Sequence, residues 1–196
     1  MRRSLAIAGA FAASLAVGSA RAADAPDLVA GLQHYCVSNA AQKDPVLALA
    51  DADGWRPAPS EIAAQLTQNL SGYGARVRRD ASGVSILIAG DTQLPAHDTK
   101  IDASICILAT VPADPASLAN FQDRAAAWVK VASNPHESSG ATTAYVYLDD
   151  DSGRRAIVDD VSAAESKRLI GTGRLRFLIV TKDPSTAAIA YIIPKL

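Results

Sequence analysis

Hydrophobic and polar positions change their period once along the chain. Before residue 75, apolar side chains recur every three to four residues, as over 27–41, which is typical of amphipathic helices. From residue 75 onward, apolar and polar side chains mostly alternate, as over 101–110, which is typical of strands. The pattern therefore predicts helices first and a sheet afterwards, with further helices between the strands.

Capping residues mark where the helices should begin. Ser and Asp side chains accept hydrogen bonds from the free N–H groups of a first turn, and Pro fits there because it has no N–H. These signals predict five helices, which begin at Asp27, Asp44-Pro45, Ser60, Asp114-Pro115 and the capping box Ser162–Glu165. The fourth helix is expected to end at Asn134-Pro135.

Hairpin signals dominate the second half of the chain. Turn residues separate alternating segments at 80–83, 149–153 and 183–185. Consecutive hairpins favour an α+β fold, a mainly antiparallel sheet of about seven strands with helices packed on one face, the N-terminal helices coming first. Because no long linker or repeat interrupts the pattern, residues 23–196 are expected to form a single α+β domain.

The first 22 residues are typical of an export signal. Arg2 and Arg3 precede an Ala-rich apolar run that is too short for a membrane span, and Ala20-Arg21-Ala22 matches the small-residue cleavage pattern. We expect cleavage after Ala22 and a periplasmic or secreted protein. The arginine pair is compatible with twin-arginine export, although the general secretory route is favoured.

Charge and composition exclude some partners. The signal contains three arginines and no acids, so the mature chain has 16 basic and 20 acidic residues and a formal charge of −4. A binder of the phosphate backbone usually has an excess of basic residues, so no nucleic-acid partner is expected. No segment of the mature chain is apolar and long enough to predict a membrane span.

Cys36 and Cys106 are the two cysteines of the chain. In an oxidising compartment, two thiols that face one core usually pair, which favours a structural disulfide. A redox pair would favour the Cys-x-x-Cys spacing, which the chain lacks, and two free buried thiols are the remaining alternative.

Catalytic candidates are limited to two histidine–carboxylate pairs in polar loops, His97-Asp98 and His136-Glu137. An imidazole beside a carboxylate is suited to act as a general base or a metal ligand, but both pairs are also ordinary for solvated loops. His34 is interpreted as a residue on a helix flank. The common hydrolase, zinc-protease and phosphate-binding motifs are missing, so we expect no cofactor and no metal.

Two charged clusters are also interpreted as structural. The acidic run 149–153 offers oxygens to a hard cation but lacks the later ligands of a calcium loop, which favours a tight hairpin turn. Five arginines would form a basic strip for an anion only if their two strands were neighbours; these are Arg76, Arg78, Arg79, Arg174 and Arg176.

The stretch from Cys36 to Trp55, with its Ala-rich Asp44–Ala50 segment, resembles small exported proteobacterial proteins of unknown function. The resemblance implies export and a disulfide and assigns no catalytic residue.

Three functions remain after these exclusions. The favoured one is a non-enzymatic periplasmic protein that binds an unknown envelope protein or a small ligand. The alternatives are a hydrolase or metal-assisted enzyme that uses His97, Asp98, His136 and Glu137, and an inhibitor or chaperone-like protein that offers a sheet edge to its partner.

Overall fold

A computed structural model describes residues 27–60, 70–80, 83–96, 99–111, 120–182 and 186–195. Four predicted features lie wholly or partly outside these residues. They are the signal segment 1–22, most of the helix that is predicted to begin at Ser60, the predicted start of the next helix at Asp114-Pro115, and the turn at 183–185. No helix in the described ranges combines the length and the apolarity that crossing a membrane requires.

The helices are α1 (Leu28–Leu32), which continues into a π-helical segment (Gln33–Val37), α2 (Lys43–Ala52), α3 (Phe121–Val129) and α4 (Ala163–Gly171).

The described strands form one antiparallel sheet of eight strands in the order β1-β2-β3-β4-β8-β7-β5-β6. The predicted antiparallel sheet and the hairpins β2–β3, β5–β6 and β7–β8 are confirmed. The strands are β1 (Arg56–Pro57), β2 (Leu70–Asp80), β3 (Gly83–Ala96), β4 (Thr99–Val111), β5 (Thr142–Asp150), β6 (Gly153–Ala156), β7 (Leu175–Lys182) and β8 (Ala187–Pro194).

One face of the sheet, the helix-covered face, packs against α1, α2 and α3. Because side chains alternate along a strand, Cys106 and Leu108 of β4 lie on the same face as Leu178 of β7. These residues form the largest buried cluster together with helix residues such as Leu32 and Phe121. This cluster joins the N-terminal helices to the centre of the sheet.

The opposite face, called the cavity face below, is also apolar. Val146 and Leu148 of β5 alternate with residues of the first cluster and pack against Leu169 and Ile170 of α4. The prediction that the helices lie on one face is therefore not confirmed, because α4 packs on the other side from α1, α2 and α3. Helix amphipathicity predicts that a helix packs on a sheet but does not say on which face.

A disulfide and a close helix–strand contact hold the N-terminal helix against β4. Cys36 and Cys106 are bonded, with a Cα–Cα distance of 5.5 Å, and both are fully buried, which confirms the predicted pairing. Gly31 lies against Leu108, since a Cβ at Gly31 would lie 2.6 Å from Leu108 Cδ2. The missing side chain therefore allows the close approach that places the two cysteines within bonding distance.

Two helix boundaries differ from the prediction. Asp27 caps α1 as expected and accepts a hydrogen bond of 3.0 Å from Val29 N. Asp44, however, lies inside the first turn of α2, whose N-cap is Gln42. The fourth predicted helix ends at Val129 rather than near Asn134, because Lys130 adopts a left-handed conformation with φ 58°.

The disulfide should contribute strongly to stability. It joins residues 70 positions apart, so reduction, or the double substitution Cys36→Ala/Cys106→Ala, should lower the free energy of unfolding by about 2–5 kcal/mol. Urea unfolding of the oxidised protein, the reduced protein and the double variant measures the loss. As a control, reductant should leave the unfolding midpoint of the double variant unchanged. An equal midpoint for oxidised and reduced wild type would contradict the prediction.

Candidate ligand-binding cavity

A cavity of about 380 Å³ lies on the cavity face of the sheet. Its apolar residues come from neighbouring strands, including Val146 of β5, Phe177 of β7 and Ile192 of β8, while α4 contributes Leu169 and Ile170. Among the described residues, the cavity lies where α4 packs against part of this apolar face. The remaining apolar lining residues are Leu94, Ile101, Ile157, Val161, Leu175, Ile179 and Pro194.

Polar residues from two loops and from α4 also line the cavity, and we call them the rim: His136, Glu137, Asp159, Asp160 and Ser166. His136, Glu137, Asp159 and Asp160 are exposed. Within the described residues, the lining contains no Lys or Arg, and no ion pair involves a rim carboxylate. The cavity therefore combines an apolar interior with an acidic rim.

Asn134 also lines the cavity and fixes the loop that carries His136 and Glu137. Its side chain is buried, and its Oδ1 accepts hydrogen bonds from His136 N at 2.8 Å and Glu137 N at 3.1 Å. Its Nδ2 donates to Ile157 O at 2.9 Å, in the segment that leads to Asp159. One buried amide thus joins the two loops of the rim, and its donor and acceptor both have partners.

The same loop is attached to the edge of β5. Asn134 N donates to Ala144 O at 2.8 Å. Ser138 Oγ donates to Asn134 O at 2.7 Å and accepts from Ala144 N at 3.0 Å. These bonds hold the backbone of the loop to the sheet, so that rim and apolar lining belong to one connected unit.

The predicted pair His136-Glu137 lies at this cavity, whereas His97 and Asp98 lie outside the described residues. The cavity is, however, lined by Leu94 at the end of β3 and by Ile101 at the start of β4. These two residues pair with each other, one before and one after His97-Asp98 in the chain. The described structure therefore brings one of the two predicted pairs to the cavity. It leaves the joint site of both histidines a hypothesis.

His34 belongs to a separate hydrogen-bonded cluster, which the sequence pattern does not predict. His34 Nε2 lies 2.8 Å from Asp53 Oδ2, and Tyr35 OH donates to the same oxygen at 2.9 Å. Trp55 Nε1 in turn donates to Tyr35 OH at 2.9 Å. The bonds from His34 and Tyr35 lower the pKa of the Asp53 carboxyl below its usual value, while burial raises the pKa of the Tyr35 hydroxyl. The cluster ties the turn after α2 to the π-helical segment.

The acidic run predicted as a hairpin turn connects β5 and β6. Asp149 lies 3.5 Å from the Arg154 Nε, and Asp150 accepts a 2.9 Å hydrogen bond from Ser152 N. No group of three His, Cys, Asp or Glu side chains arranged to hold a metal occurs in the described part of the chain. The run therefore forms the hairpin turn that the sequence predicts.

The condition for a basic strip is not met. β2, which carries Arg76 and Arg78, is separated from β7, which carries Arg176, by three strands of the sheet. Arg76 instead pairs with Asp51 at 2.6 Å, and Arg78 lies over the Trp55 ring at 4.9 Å. Strand order is set by non-local pairing, which the spacing of arginines along the sequence does not reveal.

Comparison of the chain with protein families, with curated proteins and with solved structures finds no match.

The substitution Asn134→Ala tests how the rim is held. It removes three hydrogen bonds and leaves Ile157 O and two N–H groups without their side-chain partner, so it should lower the free energy of unfolding by about 1–3 kcal/mol. Urea unfolding measures this loss. The control Asn39→Ala removes a single bond, to Tyr35 O, and should cost less. Equal losses in the two variants would show that Asn134 does not have this role.

Proposed function

We propose that this protein is an exported, non-enzymatic binding protein that holds a small, mainly apolar molecule in the cavity beside α4. The observation that carries the proposal is the cavity itself. Its volume of about 380 Å³ falls in the range of small-molecule sites. An apolar lining with a few polar groups at one side is also the usual composition of such sites.

The size of the cavity limits the size of the ligand. A designed apolar cavity of about 150 Å³ stays dry and binds benzene, so a cavity more than twice as large accommodates a longer chain or a larger ring. At roughly 30 Å³ for each water-sized group, the space corresponds to about a dozen non-hydrogen atoms. Each methylene moved from water into the cavity contributes about 0.8 kcal/mol of binding free energy. Burial of an alkyl or aryl group is therefore a sufficient source of affinity.

Export to the periplasm is supported by the N-terminal pattern and by the disulfide. The charged start, the short apolar run and the site Ala20-Arg21-Ala22 are typical of a cleavable signal. A buried disulfide such as Cys36–Cys106 is typical of proteins in oxidising compartments. The resemblance of 36–55 to small exported proteobacterial proteins agrees with the same compartment. An envelope protein as partner remains part of this proposal, together with the small ligand.

Intact-mass analysis of the protein from the envelope fraction tests export. The expected mass is that of a chain beginning at Ala23, without residues 1–22. Alkylation before reduction should add no label, since both cysteines are bonded, and alkylation after reduction should add two labels. A control variant, Ala20→Lys/Ala22→Lys, should retain the signal because large side chains block cleavage. Recovery of the full-length wild-type chain from the cytoplasmic fraction would contradict export.

Binding of 1-octanol tests the cavity. Octanol is small enough for the space and should raise the unfolding midpoint of the wild-type protein, since a ligand that binds only the folded state stabilises it. Ile179→Trp fills the cavity from the centre of β7 and should weaken octanol binding about tenfold or more. The indole ring occupies the space of the octanol chain, so the methylenes of octanol lose their apolar contacts with the cavity. Isothermal calorimetry gives the affinities.

The matched control places the same large ring elsewhere on the same face. Val84 of β3 belongs to the cavity-face cluster around Ile86 and Ile88 but does not line the cavity. Val84→Trp should therefore bind octanol as the wild type does. Equal weakening by both tryptophan variants, or no octanol binding by the wild type, would contradict a ligand site at this cavity.

A hydrolase or metal-assisted enzyme is the second candidate function. It is favoured by one observation: His136 and Glu137 lie on the rim, and Leu94 and Ile101 of the strands that lead to His97-Asp98 line the same cavity. Against it, both backbone N–H groups of the His136-Glu137 pair bind Asn134, and no hydrogen bond orients the His136 ring within the described residues. A general base usually needs such an orienting partner.

A further inference from the structure

We propose that the natural ligand is an amphipathic organic cation, which places its apolar part in the cavity and its ammonium or guanidinium group at the acidic rim. This inference rests on the proposed function and names the ligand class of that same site. The observation behind the inference is that an apolar cavity is lined at its rim by three carboxylates and by no Lys or Arg of the described chain.

The rim has the charge that such a ligand requires. Glu137, Asp159 and Asp160 all line the cavity, and none forms an ion pair within the described residues. No Lys or Arg of the described chain lines the cavity to offset them. A cleft lined by charges of one sign attracts counter-ions, so the rim favours cationic ligands over neutral ones and disfavours anions.

The carboxylates come from two loops that are held together. Glu137 lies in the turn organised by Asn134, and Asp159 comes two residues after Ile157, whose carbonyl accepts the Asn134 Nδ2–H at 2.9 Å. Their backbones are therefore positioned before a ligand arrives. Binding then needs little ordering of the loops, which lowers the entropic cost of association.

The geometry favours an organic cation over a metal ion. A hard cation such as Ca²⁺ needs six to eight oxygen ligands at roughly 2.3–2.6 Å, whereas no group of three potential metal-ligating side chains occurs in the described residues. Carboxylates that do not converge on one point still attract a charge through their common field. An ammonium group, which keeps part of its hydration, suits this arrangement.

The N-terminus of α4, which lies between the rim residues Asp160 and Ser166 in the chain, opposes this assignment. Its partial positive charge favours anions, and Asp159 and Asp160 shortly precede it in the chain. Its N–H groups are partly engaged, because Ser162 Oγ accepts from Glu165 N at 3.3 Å. Three full carboxylate charges outweigh a partial charge of about one half, so the net preference of the rim is for cations.

Three octyl compounds with different head groups test the inference near neutral pH: protonated octylamine, 1-octanol and octanoate. Because the alkyl chain is shared, differences in affinity report the effect of the head group. We expect octylammonium to bind about tenfold more tightly than octanol, and octanoate to bind more weakly than octanol. An affinity gain of about twofold for each of the three exposed carboxylates multiplies to about tenfold. Calorimetry at low and high salt should show the octylammonium preference decreasing as salt screens the rim.

Neutral variants of the rim identify the source of the preference. The triple variant Glu137→Gln/Asp159→Asn/Asp160→Asn should bind octylammonium and octanol nearly equally, with octanol affinity unchanged. The control Asp151→Asn removes an exposed carboxylate from the β5–β6 turn, away from the cavity lining, and should keep the wild-type preference. Since all four carboxylates are exposed, the unfolding midpoints should change little, and urea unfolding confirms that each variant is folded.

The outcomes separate this inference from the proposed function. Equal binding of all three compounds, or tighter binding of octanoate, overturns the cationic ligand and leaves the apolar site standing. A preference for octylammonium that survives in the triple variant also overturns it, because the rim is then not the cause. Failure of all three compounds to bind overturns the apolar site and, with it, the ligand class.

Discussion

Both faces of the central strands are apolar, and this constraint shapes the rest of the structure. In β7, Leu178 and Val180 are buried on the helix-covered face, whereas Leu175 and Phe177 belong to clusters on the cavity face. Apolar surface on both sides of a sheet is stable only when it is removed from water. Among the described helices, α1, α2 and α3 cover the first face, and α4 covers part of the second. Within the described residues, the cavity lies on this second face, beside α4.

The covalent link to β4 explains why the first face is so well covered. α1 has only five residues before it continues as a π-helical segment, and a helix this short is marginal without tertiary contacts. Gly31 allows its backbone to approach Leu108, and the Cys36–Cys106 bond holds it there. The side of the sheet that receives the N-terminal helices is thereby determined. The region beside α4 has no comparable link in the described chain.

Local signals in the sequence predict local structure, and non-local pairing limits the rest. The hairpins were predicted because turn residues lie between two alternating segments. The disulfide followed from the compartment and from the burial expected of both thiols. The sequence does not predict that β4 pairs with β8. Paired residues such as Cys106 and Tyr191 are far apart in the chain, and no local pattern indicates that they are neighbours. For the same reason, the face on which α4 packs could not be predicted.

The candidate site was predicted only at its polar side. His136 and Glu137 were identified from their chemistry, whereas Phe177 and Leu169 looked like ordinary apolar positions of a strand and a helix. An apolar residue has the same sequence signature whether it faces a packed helix or a cavity. Asn134 was interpreted as the end of a helix, since an Asn-Pro pair is typical of an exposed turn. Its burial between two loops depends on contacts with Ala144 and Ile157 that are distant in the sequence.

The two features that acid–base catalysis needs are found at different places in the described chain. His34 has an oriented ring, 2.8 Å from Asp53, but it does not line the cavity, and Asp53 also binds the Tyr35 hydroxyl. His136 lines the cavity, its backbone N–H binds Asn134, and no described residue forms a hydrogen bond with its exposed ring. A rigid loop backbone with exposed side chains suits recognition by charge. Proton transfer is favoured by a ring that is held beside the bound molecule, as the His34 ring is held beside Asp53.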